Sequence, residues 1–305
     1  MNADLDLEPH RGELVAYCYR MLGSVHDAED LVQETLLRAW RARDRYDPER
    51  ASVRTWLYRI ATNVCLTALE QRARRPLPSG LGAPSTDPET PLVPAPEVPW
   101  LEPFPDARYD ADVRGDVRLA LVAALQLLPA RQRAALVLRD VLSFSAAETA
   151  DQLGASVASV NSALQRARAA LAEGADAVEV TEPGDPQARV AVERYVEAFA
   201  AADVPAIVRL LTDDVVMEMP PVPLWYRGVH DYARVLERVF RNRGIGWATR
   251  VVEANGQAAF VAYAPGPDGP WPHSVQVLSV RGGRVARTVV FADPAVVQLF
   301  LPRSR

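Results

Sequence analysis

The segment from Pro76 to Pro105 constrains the fold of this chain more than any other, because it contains ten prolines. Proline fixes φ and lacks a backbone N–H, so neither a helix nor a central strand can pass through such a segment. No apolar periodicity survives there, which predicts an extended linker. The linker therefore divides the 305 residues into separate folded parts, and the length suits two or three domains.

The second half of the linker carries an apolar cluster, formed by Val98, Trp100, Leu101 and Phe104. Large apolar side chains are costly to expose in a solvated linker. We therefore expect this cluster to dock on a folded domain.

Three amphipathic helices are predicted before the linker. The first begins near Arg11 and ends at Gly23, the second follows Ser24, and the third follows the Asp47–Pro48 turn. Their predicted buried positions are Leu14, Cys18, Met21 and Leu22, then Val32, Leu36, Ala39 and Trp40, then Val53, Trp56, Leu57, Ile60, Val64 and Ala68. Helices this close in sequence predict one small bundle.

A basic patch lies within this predicted bundle, although the whole chain has a net charge of −5. From Arg41 to Arg75 there are nine arginines and four acidic residues, which leaves this stretch at +5. Clustered cations are what binding to a phosphate backbone requires, so the patch indicates a nucleic-acid contact that the average charge conceals.

A helix-turn-helix is predicted after the linker. Two helices, at about Val113–Leu128 and Arg131–Leu142, come first. Ser145 and Glu148 then stand at capping-box spacing, Gly154 ends the short helix, and Ser156 caps the next one. This order of signals is typical of a recognition helix preceded by a tight turn.

A second linker, at Glu182–Pro186, precedes an α+β pattern. The Asn255-Gly256 and Gly282-Gly283 pairs are strong hairpin signals between apolar runs. We predict a curved antiparallel sheet wrapped on helices. The predicted helices are Ala188–Ala202, Pro205–Leu211 and Asp231–Asn242, and the predicted strands are Val215–Met219, Trp247–Glu253, Ala258–Tyr263, Ser274–Arg281 and Arg284–Phe291.

Several features favour a soluble cytoplasmic protein with no membrane partner. No apolar run approaches the ~18 residues of a membrane helix, and the N-terminus is acidic where a signal peptide would be basic. Cys18 and Cys65 both lie on apolar helical patterns, which favours core residues in a reducing compartment over a disulfide.

Two motifs resemble the extracytoplasmic-function (ECF) class of bacterial sigma factors. DAEDLVQETLLRAW at 27–40 and RTWLYRIATN at 54–63 are similar to the second conserved region of that class. LPARQRAALVLRD at 128–140 and SAAETADQLGASVASVNSALQRARAAL at 145–171 are similar to the fourth region. Residues 186–303 resemble SnoaL-like domains of the nuclear-transport-factor-two superfamily.

The resemblance implies a multidomain protein. Two all-α sigma domains, a three-helix bundle and a four-helix domain with a helix-turn-helix, precede an α+β, cone-shaped SnoaL-like domain. The expected boundaries are 1–75 for region 2, 76–112 for the linker, 113–180 for region 4 and 186–303 for the SnoaL-like domain. The implied partners are promoter DNA and core RNA polymerase, contacted at its β′ clamp and β flap.

The residues matched to polymerase binding are Asp30, Gln33 and Glu34. Carboxylates and amides on one helical face suit bidentate pairing with arginines on a partner. The plainer interpretation of that face is a solvated helix surface.

The resemblance places minus-ten recognition and strand opening on the third helix and its basic end. Asn63 falls on the position that contacts an extruded base, and stabilising such a base offsets its unstacking energy. Trp56 is either a core residue or a platform for base stacking. The residues expected to contact minus-ten DNA are Arg54, Arg59, Asn63, Arg72, Arg74 and Arg75.

Minus-thirty-five recognition is expected from the helix after Ser156. Here the sequence departs from the family, because Asn161 and Ala163 stand where many members have a basic residue. We therefore expect fewer phosphate contacts and a smaller salt dependence. The residues expected to reach this DNA are Ser156, Ser159, Ser162, Gln165, Arg166 and Arg168.

The resemblance implies an apolar pocket in the SnoaL-like domain, with a few polar groups that suit a small ligand. The candidate lining residues are Glu218, Trp225, Tyr226, His230, Trp247, Tyr263, His273, Gln276 and Asp293. The domain is a regulator, a ligand sensor or an enzyme, and isolated histidines such as His230 and His273 are more often surface or core residues than catalysts. No cofactor and no metal ion are expected.

The sequence thus predicts an ECF-type sigma factor, not an enzyme, whose fused domain modulates promoter-specific initiation in place of a separate anti-sigma factor. A small-molecule ligand of that domain is a further candidate partner. Two alternatives stay open: a SnoaL-like cyclase or hydrolase fused to a DNA-binding segment, and a one-component regulator that senses a ligand.

Overall fold

The computed structural model describes residues 6–70, 74–110, 116–173 and 186–302. They divide into two compact units. The helical unit lies within 1–75 and 108–176, and the C-terminal unit lies within 76–107 and 177–305. The proline-rich linker thus belongs to the C-terminal unit, although it joins the two segments of the helical unit.

The helical unit contains seven α-helices in its described residues, in two groups of three and four. The first group is α1 (Arg11–Leu22), α2 (Val25–Arg41) and α3 (Val53–Glu70), and the second is α4 (Leu119–Leu125), α5 (Ala130–Leu136), α6 (Ala146–Leu153) and α7 (Val157–Glu173). A π-helical stretch, Val137–Val141, continues α5. Helix α4 begins later than the Val113 start expected from the sequence, and residues 111–115 lie outside the described part.

Local capping signals fix the helix ends as predicted. Gly23 adopts a left-handed φ of 72° after α1, and the Ser24 hydroxyl accepts a hydrogen bond from the Asp27 amide at the start of α2. Ser145 and Glu148 form the complete capping box of α6. Because these signals are local, the sequence was sufficient to predict these ends.

Trp40 differs from its predicted place in the core. Its side chain is 58% exposed, and the Arg43 guanidinium lies over its ring at 4.4 Å. Trp56 is half-buried and packs against Tyr46, with ring centroids 5.0 Å apart.

The two helix groups share one core. Arg20 of α1 is 1% exposed and donates to the Asp116 carbonyl at 2.9 Å. Arg133 of α5 is 4% exposed, and it donates to the Met21 carbonyl and to the Gln126 amide oxygen. Burial lowers the pKa of each guanidinium to about 10, so both remain charged at neutral pH. These buried arginines donate hydrogen bonds between the two groups, and the bonds help to hold the groups together as one unit.

Cys18 and Cys65 are completely buried, with their sulfur atoms 3.5 Å apart. The hydrogen bond from Cys65 and burial raise the pKa of the Cys18 thiol well above its usual value. The thiols therefore pack as small core groups between α1 and α3.

The C-terminal unit is an α+β fold. Its helices are α8 (Pro186–Ala200), α9 (Val204–Val208), α10 (Val229–Arg243) and α11 (Pro294–Gln298). Its strands are β1 (Leu211–Glu218), β2 (Trp225–Arg227), β3 (Ala248–Ala254), β4 (Gln257–Ala264), β5 (Trp271–Arg281) and β6 (Arg284–Phe291).

The six strands form one sheet in the order β2-β1-β6-β5-β4-β3. The predicted antiparallel sheet is wrong in one place, because β1 pairs with β6 in parallel. The sequence pattern also missed β2 and α11, which are short. The two predicted glycine turns are present, joining β3 to β4 and β5 to β6.

The helices of the C-terminal unit pack on this sheet around aromatic residues. The Tyr195 and Tyr232 hydroxyls share a hydrogen bond of 2.5 Å, and Tyr232 also bonds Thr288 of β6 at 2.8 Å. Phe199 contacts Phe240, Trp247 and Phe260 edge to face. Within the described residues, no helix is long and apolar enough to cross a bilayer.

Candidate functional sites

The predicted polymerase face lies along α2. Asp30 and Gln33 are exposed, and Glu34 is half-exposed and pairs with Arg38 at 2.7 Å. A pair four residues apart on an exposed helix face is weak, so a partner's arginine can displace it. The three residues thus form one accessible, mostly acidic surface.

The arginines predicted to contact minus-ten DNA differ in how strongly other protein groups bind their side chains. Arg54 donates to Glu13 at 2.8 Å and lies over the Tyr58 and Phe144 rings at 4.9 and 5.0 Å. Burial raises the pKa of Glu13, but hydrogen bonds from His10 and Arg54 outweigh it, so this pKa lies below its usual value. Arg54 therefore contributes to the packing between helices, while its side chain remains 39% exposed.

Arg59 and Asn63 lie one turn apart on the exposed side of α3. Arg59 pairs with Asp151 of α6 at 3.1 Å, and both side chains are more than half exposed. Among the basic residues near the end of α3, Arg74 is exposed and Arg75 is half-buried, paired with Asp27 at 2.5 Å. The predicted Arg72 lies outside the described residues.

Helix α7 presents all six of its predicted minus-thirty-five residues to solvent. Val160, Leu164 and Ala167 are buried on the opposite face of this helix. Two of the six already have local partners: Ser156 caps α7 through the Ser159 amide at 3.2 Å, and Arg168 pairs with Asp140 at 2.7 Å. The residues left for base or phosphate contacts are Ser159, Ser162, Gln165 and Arg166.

The first half of the linker is bound to the C-terminal unit by specific hydrogen bonds. Ser79 donates its amide and its hydroxyl to the Glu218 carboxylate, each at 3.1 Å. Glu218 has no exposed surface and also pairs with Arg287. Arg238 of α10 donates to two linker carbonyls, of Pro88 and Thr90, at 2.7 Å each.

The apolar end of the linker is also fixed. Of the four residues of the predicted cluster, Leu101 and Phe104 are 1% and 0% exposed, whereas Val98 and Trp100 are half-buried. The Phe104 amide donates to the Asn255 side chain at 2.8 Å, and the Asn255 amide donates to the Phe104 carbonyl at 2.9 Å. Asp106 accepts from the Gly256 amide at 2.6 Å. Sequence reasoning missed Ser79, Asn255 and Asp106, because only their pairing across about 150 residues gives them a role.

A cavity of about 640 Å³ lies in the C-terminal unit. Its walls come from the linker, β1, β5, β6, α8 and α10, and they include the predicted Trp247, His273 and Gln276. Burial, aided by the Arg243 charge, lowers the pKa of His273 to about 4, so its imidazole is neutral at pH 7. The His273 ring lies between Trp247 and Trp271, at 5.2 and 5.3 Å.

Six predicted pocket residues are not among those that line the cavity. Glu218 stands between the lining residues Met217 and Met219, and alternate residues of a strand face opposite sides. Trp225 and Tyr226 bond linker carbonyls, at Gly82 and Asp87. The other three are His230, which is exposed, Tyr263, which contacts Arg250, and Asp293, which caps α11.

Three family models match the chain, in the order that the structure shows. Sigma-70 region 2 matches residues 7–75, Sigma-70 region 4 matches 118–171, and a SnoaL-like domain matches 192–288. The ECF RNA polymerase sigma factor SigG of Mycobacterium tuberculosis is 48% identical over 97% of this chain and 83% of its own length. The chain belongs to the ECF sigma factors of RNA polymerase.

The likeness to ECF sigma factors extends through the C-terminal unit. The SigJ sigma factor of M. tuberculosis is 29% identical over 95% of this chain and 91% of its own length. The crystal structure of SigJ superposes with a TM-score of 0.68, at 27% identity, and covers 96% of this chain and 97% of that one. Helical sigma domains followed by a SnoaL-like α+β domain are therefore the architecture of this ECF sigma factor.

Proposed function

We propose that this sigma factor binds core RNA polymerase through the acidic face of α2 and reads promoters with α3 and α7, while the C-terminal unit regulates both through the linker. One observation carries the proposal: the linker that joins the two promoter-reading helix groups is bound along its length to the C-terminal unit.

The exposure of Asp30 and Gln33 supports the polymerase contact, which we assign to the β′ clamp. A surface of carboxylates and amides pairs well with arginines on a partner and adds to the rate of association. A contact of region 4 with the β flap is the matching expectation for the second helix group.

For promoter DNA, we propose Arg59, Asn63 and Arg74 at the minus-ten element and Ser159, Ser162, Gln165 and Arg166 at the minus-thirty-five element. The Arg59–Asp151 ion pair is exposed and therefore weak, so a DNA phosphate can replace Asp151 as the partner of Arg59. We assign Arg54 to the packing of α3 against α1, because Glu13 and two aromatic rings hold it.

The regulatory role does not require chemical turnover. Among the described residues that line the cavity there is no Asp or Glu, so no carboxylate base faces it. We expect the protein in the cytoplasm, with the fused unit taking the place of a separate anti-sigma factor.

The test is reconstituted transcription with core polymerase on genomic DNA fragments. We compare the full-length protein, a truncation after Glu182, and the Asn255→Gly variant, which removes the side-chain bond to the Phe104 amide but tolerates the positive φ of 59° at this turn. We expect both changes to alter promoter-specific transcript yield, and Arg166→Ala to reduce it. The exposed Arg234→Ala is the matched control.

Failure of the full-length protein to join core polymerase, or to select any start site, would contradict the sigma-factor function. Unchanged yield from both linker-releasing forms would contradict only the regulatory role. Turnover of a small hydrophobic substrate without polymerase binding would favour the enzyme alternative.

A further inference from the structure

The cavity of the C-terminal unit has an uneven distribution of charge. Its described lining residues include Arg238 and Arg243 and no acidic residue. Arg238 is occupied by the two linker carbonyls. Arg243, the last residue of α10, has no acidic partner among the described residues, and its guanidinium lies 5.9 Å from the Trp271 ring centroid. The cavity thus has one available cation at its solvent-exposed side.

Two buried polar atoms in the same wall lack hydrogen-bond partners within the described structure. Ser274 has no exposed surface, and its Oγ has no partner. The Nδ1 atom of His273 is buried and equally without a partner. Native proteins rarely leave such groups unpaired, so these two point to a ligand that supplies the missing hydrogen-bond atoms.

Most of the remaining wall is apolar, apart from Asn242 and Gln276. Phe199, Met217, Leu236 and Val290 line it from four different elements. A cavity of about 640 Å³ with apolar walls and few polar groups has the dimensions of a small-molecule site.

We propose that this cavity binds an amphipathic monocarboxylate, with the carboxylate at Arg243, His273 and Ser274 and the apolar body against Phe199, Met217 and Leu236. A carboxylate accepts from a guanidinium, a hydroxyl and an imidazole N–H at once, which pairs all three groups. A phosphate monoester would bring two negative charges to one available arginine, and a neutral molecule would leave Arg243 unpaired.

A ligand in the cavity would contact the linker directly. Pro91, Leu92 and Pro94 form part of the wall, in the segment whose neighbours Pro88 and Thr90 are held by Arg238. A ligand that contacts this wall has different affinities for the protein with the linker docked and with the linker released. This difference in affinity sets how far the ligand shifts the equilibrium between the two states. This coupling to transcription rests on the proposed function, whereas binding itself does not.

The binding test uses the full-length protein with decanoate and 1-decanol, two probes of equal chain length that differ in the head group. Isothermal titration calorimetry measures affinity, and the fluorescence of Trp247 and Trp271 reports the site. We expect one molecule of decanoate to bind per chain, about fivefold or more tightly than decanol. Arg243→Gln should remove this preference, Ser274→Ala should weaken decanoate binding, and Arg234→Gln, on the same helix but outside the cavity, should change neither.

Two results would overturn the site: no saturable binding of decanoate, or equal affinities for acid and alcohol that Arg243→Gln does not change. A second arm adds decanoate to the reconstituted transcription reaction. We expect it to change the yield of the full-length protein but not that of Arg243→Gln. Binding without any effect on transcription would overturn the coupling and leave the site in place.

Discussion

At the residue scale, the carboxylate of Glu218 connects the linker to the sheet of the C-terminal unit. It has no exposed surface, and it accepts hydrogen bonds from Ser79 of the linker and from Arg287 of β6. A buried ion pair is stabilising only while both partners are present, because removing one leaves an uncompensated charge. Glu218 therefore links the stability of the sheet to the docking of the linker.

We predict that Glu218→Ala destabilises the C-terminal unit by roughly 3 kcal/mol, because the half-buried Arg287 and the two Ser79 donors lose their acceptor. Urea unfolding followed by tryptophan fluorescence measures the change. Asp214→Ala is the matched control, since Asp214 pairs with Arg281 on an exposed surface, where we expect less than about 1 kcal/mol. Equal effects of the two substitutions would show that Glu218 has no special role.

His273 makes the stability of the C-terminal unit depend on pH. Its pKa of about 4 in the folded protein lies below the usual value of about 6.5. As the pH falls from about 6.5 towards 4, His273 binds a proton in the unfolded chain but stays neutral in the folded one. The free energy of unfolding therefore decreases over this pH range. NMR titration of the ring should give a midpoint near 4.

The loss amounts to at most about 3.5 kcal/mol, since one pKa unit corresponds to ~1.4 kcal/mol. His273→Gln should remove this part of the acid sensitivity, whereas replacing the exposed His230 should leave it. A His273 midpoint above about 6 would contradict the buried, neutral imidazole.

At the element scale, the linker has the features of a bound segment rather than a spacer. Its only regular structure in the described residues is a few short 3-10 turns, yet its carbonyls, amides and side chains find partners on β1, β2, α10 and the β3–β4 turn. Prolines reduce the conformational freedom that such a segment loses on docking.

Hydrogen exchange of the full-length protein tests this docking. We expect the amides of Ser79, Ser85, Ala95 and Phe104 to be protected, because each donates to the C-terminal unit. In Asn255→Gly, the Phe104 amide should exchange at least about tenfold faster while that of Ser79 changes little. Uniform fast exchange from 76 to 105 would mean that the linker is free.

The sequence was sufficient for elements whose signals are local and insufficient for pairings between distant residues. Gly23, Ser24 and the Ser145–Glu148 box set helix ends within a few residues, so those helices were predictable. The parallel pairing of β1 with β6 joins residues about 70 apart and leaves no local pattern. The same limit applies to the cavity, where residue type suggested Trp247 and His273 but strand register excluded Glu218.

At the scale of the whole molecule, the C-terminal unit is discontinuous in sequence, because its two segments flank the second helix group. Leu77, Leu101 and Phe104 are each at most 5% exposed in the intact unit. Truncation after Glu182 removes Asn255, which pairs with Phe104 through both its amide and its side chain. We therefore expect the truncated protein to expose more apolar surface than the full-length one.

We predict that the truncation increases binding of an apolar dye and promotes self-association, measured by fluorescence and light scattering. Adding Leu101→Ser and Phe104→Ser to the truncated chain should restore solubility, because the exposed apolar area is removed. If the truncated protein stays monomeric and binds no dye, the apolar residues of the linker are buried against another surface, and the prediction is wrong.

Because the C-terminal unit is discontinuous in sequence, it cannot be transferred to another sigma factor as a single segment. In a chimaera that replaces only residues 186–302 with those of another sigma factor, the linker keeps its own Ser79, Phe104 and Asp106. These residues would then face a sheet that lacks their original partners. Exchange of an intact C-terminal unit between sigma factors must transfer both segments together, while region 4 stays unchanged. The proline-rich segment therefore has to be moved with residues 186–302, because it is the first part of the same unit.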